Sequence, residues 1–149
     1  MTQIVDDQLL GAILRGDDPP RPDEPVFTTG YWYVRLCQAV LNTAERAGAL
    51  SAPFAALPEN LRRRATEALL ELPTGIGLVS LRELGPLIGR LRQRHQLNVG
   101  GIEVLAAALH LGADVYLSAP SPRLQAALDA EGRNAIETIT SQAIRSFEG

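Results

Sequence analysis

The hydrophobic and polar positions alternate between two periods along the chain. Gln3-Ile4-Val5 is a short apolar run that predicts a strand, and Asp6-Asp7 follows it directly. Leu9, Leu10, Ile13 and Leu14 then recur at helical spacing, with an aspartate available as N-cap and Gly16 closing the helix. Val26 to Thr29 reads as a second strand, after which Thr28 or Thr29 can cap a helix over 31–47 that ends at Gly48. Its apolar face carries Tyr33, Leu36, Cys37, Val40, Leu41 and Ala44. Pro58 to Leu72 predicts a further helix, Ile76 to Leu81 a strand, and 82–95 a helix with Pro86 in its first turn. Ile102 to Leu111 is an alanine-rich helix closed by Gly112, followed by a strand over Asp114–Ser118 and a helix from Pro122 to Ala130. Ala135 to Ile139 offers a last strand, in competition with a helical tail to Phe147.

Strands separated by helices require crossover connections, so the class is α/β: a three-layer α/β/α sandwich with a mostly parallel central sheet. The 149 residues suit one domain. Asp17-Asp18-Pro19-Pro20-Arg21-Pro22-Asp23-Glu24-Pro25 cannot be helix or interior strand, so residues 17–25 form an extended surface loop.

Composition narrows the chemistry. A single cysteine, Cys37, on the apolar face of its helix reads as an inert core thiol, and no Cys/His cluster suggests zinc. All 14 basic residues are arginine, which removes lysine Schiff-base chemistry and the Walker-type phosphate lysine. No apolar run is long enough for a membrane span, and the N-terminus has acids where a secretory signal has bases, so a cytoplasmic protein is expected. Charge is uneven: residues 1–25 hold six acids and two arginines, residues 61–99 seven arginines and three acids. Arg62 to Arg64 together with Arg82, Arg90, Arg92 and Arg94, the pair Arg90 and Arg94 at i, i+4 spacing, give the candidate basic surface, with a solvated face as the plainer alternative. Gly30-Tyr31-Trp32-Tyr33 holds three of the seven aromatics; Tyr33 is expected inward, Tyr31 and Trp32 at a partner surface or base-stacking platform. His95 is expected to stabilise the end of its arginine-rich helix, and His110 to sit at or near the surface. Ser118 and Ser121 have no evident His/Asp partners, so a catalytic triad is not indicated.

Gly101 to Leu124, GIEVLAAALHLGADVYLSAPSPRL, resembles the last third of PIN domains, and IVDDQLL with the Thr-capped helix falls in the same order. The resemblance implies a homodimer on a metal-dependent nuclease fold, often a toxin ribonuclease paired with an antitoxin. In that family several carboxylates converge at the carboxyl ends of parallel strands and hold Mg²⁺ or Mn²⁺, which activates water. The matching positions here depart from that pattern. The strand-end acid falls on Val5, with Asp6 and Asp7 just after it, either as metal ligands or as helix caps. The second-helix glutamate falls on Arg35, which can pair with those aspartates, hold a phosphate or simply be exposed. The aspartate opening the alanine-rich helix falls on Gly101, two residues before Glu103, and the last acid falls on Pro120. Glu103 is expected in the first helical turn, complementing the dipole. The resemblance therefore implies a PIN-like fold with a degenerate active site, a nucleic-acid-binding or protein-interaction module without a required cofactor. Arg35, Arg90 and Arg94 are its candidate nucleic-acid contacts. The alternative is a Mg²⁺- or Mn²⁺-dependent ribonuclease with a rearranged site: Asp6, Asp7 and Glu103 as catalytic acids, Asp6 and Asp7 on the metal.

Overall fold

A computed structural model describes residues 1–42 and 48–138. The chain runs β1 (Gln3–Val5), α1 (Asp7–Leu14), β2 (Val26–Thr28), α2 (Gly30–Leu41), α3 (Ala52–Ala55) and α4 (Glu59–Leu70). It continues through β3 (Ile76–Leu78), α5 (Leu81–Leu91), α6 (Val99–Leu111), β4 (Asp114–Leu117), α7 (Pro122–Ala130) and β5 (Ala135–Glu137). The strands form one all-parallel sheet in the order β3-β2-β1-β4-β5. The helices cover both faces of this sheet, so the architecture is the expected α/β/α sandwich.

The period-2 rule builds the layers. Ile4, Val115 and Leu117 face a core shared with α5, α6 and α7, whereas Val5 and Tyr116 face the opposite core with α1, α2 and α4. Because β1 and β4 have a buried core on either side, they read as continuous apolar runs. Gly112, at φ 64°, supplies the left-handed turn that ends α6 two residues before β4.

Several boundaries differ from expectation. Asn42 leaves the helical region at ψ 92°, so α2 stops at Leu41 rather than continuing to Gly48; residues 43–47 of the expected helix lie outside the described residues. The short helix α3 was not foreseen; it buries Phe54 beneath α1 and α2, where the Gly11 backbone and Leu36 leave room for the ring. Helix α5 ends at Leu91, and Arg92 to Arg94 form a turn instead of helix. Pro86 is its sixth residue, in the second turn rather than the first, on the exposed side. Helix α6 starts three residues early because Asn98 accepts from the Gly101 N–H at 2.7 Å and caps it. Ile139 and the tail to Phe147 lie outside the described residues.

The proline-rich segment is indeed without helix or strand, but it is anchored. Gln3, fully buried, donates from Nε2 to the Arg21 and Glu24 carbonyls at 2.6 and 3.1 Å and accepts from the Arg21 N–H at 2.9 Å. Arg21 Nε also donates to Tyr116 Oη at 2.9 Å. Among the described residues no helix is long and apolar enough to cross a membrane.

Candidate functional site

The chain builds β1, then β2 and β3 to one side, and returns to place β4 and β5 on the other. The carboxyl ends of β1 and β4 therefore diverge at a topological switch point, where open α/β sheets place their ligands. A cleft of about 990 Å³ opens there. Its lining includes Asp6, Asp7, Tyr31, Arg35, Ser118 and Arg123.

Asp6 is 6% exposed and does two jobs. Its Oδ1 accepts from the Leu9 N–H at 2.9 Å and caps α1. Its Oδ2 accepts from the Ser118 N–H at 2.7 Å and the Ser118 hydroxyl at 2.6 Å, tying the end of β1 to the end of β4. Burial holds this carboxyl above the usual carboxylate range, against the opposing pull of the Ser118 and Leu9 bonds. Asp7 is also raised, first by burial and then by the neighbouring Asp6 charge, with Arg35 pulling it back. The Arg35 guanidinium reaches Asp7 Oδ2 at 3.5 Å from a half-exposed position and lies 5.9 Å from the centre of the Tyr31 ring.

Glu103 is 4% exposed and does not line the cleft. It sits in the second turn of α6, not the first, because α6 begins at Val99. Its two carboxylate oxygens face the Tyr31 N–H at 3.2 and 3.4 Å, so it complements the N-terminus of α2 rather than its own helix. Gly100 lies under Tyr31, where a Cβ would collide with the ring. Replacing Glu103 by alanine leaves the part-buried Tyr31 N–H without its acceptor. The expected loss is about 1–2 kcal/mol, read as a lower denaturation midpoint in urea.

The structure thus brings Asp6, Asp7 and Arg35 together and turns Glu103 elsewhere. Among the described residues, no group of three or more His, Cys, Asp or Glu side chains is placed to hold a metal. A hard divalent ion takes about six oxygen ligands. Here Asp6 is occupied by three protein donors, Asp7 faces a guanidinium and Glu103 faces an amide, so the donors present do not fit such an ion.

Other positions also shift in meaning. Trp32 is 8% exposed and packs in the α5–α6–α7 core, so only Tyr31 of the expected pair offers an open ring. Tyr33 turns inward and donates to the Leu69 carbonyl at 2.6 Å. Arg90 is exposed near the end of α5, away from the cleft lining. Arg94 shares no helix face with it, lying in the following turn, where it and His95 both bind Glu131 Oε1, at 2.8 and 2.9 Å. His110 pairs with Glu83 at 3.3 Å on the surface. Burial raises the Cys37 thiol, in keeping with an inert cysteine. Sequence reasoning missed Arg123; its signal was a position in the first turn of a helix that follows a strand, at the ligand-binding edge of the sheet. Compared with known proteins, the chain matches no family model and no curated sequence.

Proposed function

We propose that the chain is a PIN-like binding module whose cleft receives single-stranded nucleic acid without cutting it. One observation carries this reading: the acids around the cleft are engaged within the protein, while an exposed aromatic–guanidinium pair, Tyr31 and Arg35, stands at its wall. A base can stack on the tyrosine ring, and a phosphate can exchange for Asp7 on the loosely held arginine. The contact that must open is long, at 3.5 Å, and half-exposed on its arginine side, while Asp7 stays nearly buried. The PIN resemblance further suggests a homodimer, and a cytoplasmic location is part of the same proposal.

The test is fluorescence anisotropy of a labelled oligouridylate in EDTA. Binding should persist without metal and fall steeply with salt, and Tyr31→Ala should weaken it by roughly tenfold or more. Arg35→Ala should weaken it and flatten the salt dependence. Salt-independent binding, or variants indistinguishable from wild type, would sink the reading. The competing metal-dependent ribonuclease, with Asp6, Asp7 and Glu103 as its acids, is supported by the adjacent buried pair Asp6 and Asp7 alone. Saturable heat in a calorimetric Mn²⁺ titration, with RNA cleavage that EDTA stops, would replace the binding module with that enzyme.

A further inference from the structure

A second cleft, about 430 Å³, lies beside the first, between the turn after α5 and the outer face of α7. Arg94, His95 and Arg123 line it, with the small side chains of Ala126 and Ala130 leaving the wall open. Leu97 and Arg123 belong to both linings, so the two depressions adjoin across them. Arg123 is exposed on that shared wall, and its guanidinium makes no hydrogen bond or ion pair with any described residue. Three guanidinium groups and an imidazole therefore line the two depressions, Arg35 the first, Arg123 both, and Arg94 with His95 the second. The acids along this line are already engaged: Asp6 by Ser118, Asp7 by Arg35, Glu131 by Arg94 and His95.

We infer that the second cleft is a phosphate subsite continuous with the first, so that one single-stranded nucleic acid lies along both, with Arg123 gripping the phosphate between them. This rests on the binding reading above and adds to it a direction, a length and a second set of contacts. A nucleic-acid strand suits the track because its phosphates repeat regularly, whereas a small anion would fill one depression only. Arg94 can serve the strand by exchanging Glu131 Oε1 for a phosphate oxygen, while His95 stays with the carboxylate.

The experiment measures oligouridylates of about two, four and eight nucleotides against wild type, Arg94→Gln and Arg123→Gln. Both substitutions lie on the surface and leave the core untouched. Wild-type affinity should rise by an order of magnitude or more from the shortest to the longest strand. Arg94→Gln should erase that gain, leave the shortest strand unaffected and lower the salt slope for the longest by about 0.7, the value of one phosphate contact. Arg123→Gln should weaken the longest strand and also lower its salt slope. Affinity independent of length, or a gain with length that survives Arg94→Gln, overturns the second subsite while the Tyr31–Arg35 cleft stands. Failure of wild type to bind any strand overturns both.

Discussion

Replacing Asp6 with alanine is expected to lower the melting temperature by roughly 6–12 °C, about 3 kcal/mol for a chain of this size. The side chain, itself nearly buried, caps α1 through a buried bond and accepts two part-buried bonds from Ser118. Loss of a cap removes about 1 kcal/mol, and each of the two part-buried Ser118 donors left unpaired adds about 1 kcal/mol, the low end for such a group. Asp6→Asn should recover only part, since its amide nitrogen cannot accept from any of these donors. Ser118→Ala removes the hydroxyl and keeps the backbone bond, so it should cost about 1 kcal/mol. Thermal melts of the three variants check the order. If Asp6→Ala melted with the wild type, the carboxylate would not be the tie between β1 and β4.

Asp7→Asn should act in the opposite direction and stabilise the protein near neutral pH. Burial and the Asp6 charge raise the Asp7 carboxyl in the folded state, so there it keeps its proton to higher pH than in the unfolded chain. Between the ordinary carboxyl value and the raised one, the folded state binds more protons and stability falls as pH rises. Below the ordinary value both states are protonated and the contribution vanishes; above the raised value the loss is complete. Asp6 has the same sign. The amide variant removes one of two adjacent buried charges and can still accept from the Gln8 N–H. A gain of up to about 1 kcal/mol at neutral pH is expected, limited by water and by the lost Arg35 contact. Wild type and variant should converge below about pH 4. Urea melts across that range test the sign, and a variant less stable at neutral pH would show that the Arg35 pair outweighs the repulsion.

The first four strands were legible through apolar runs bounded by caps and turns, the fifth only as one of two alternatives, and α7 was legible to the residue from Pro122 to Ala130. The start of α6 was not. Gly100 and Gly101 are poor helix formers, and only the tertiary fit of the Tyr31 ring over Gly100 explains a glycine there. Asp6 could be read as a cap from the apolar residues after it, but its bond to Ser118 spans 112 positions and has no local signature. Glu103 was misplaced for the same reason: its partner is the first turn of a different helix. Arg35 was legible as a candidate from its position in the resemblance, whereas Arg123 became one only when the fold brought α7 against the cleft wall.

The pairing of the first strand with the fourth also sets a timetable for synthesis. On the ribosome, Asp6 emerges 112 residues ahead of the serine that completes it, an interval on the order of ten seconds at ordinary elongation rates. For that time the nascent chain can close only the β2 side of its first strand; the other side waits for Tyr116 to arrive. Folding of the cleft is therefore a late event in translation, and a message truncated before the Asp114 codon yields a chain whose central strand keeps one open edge.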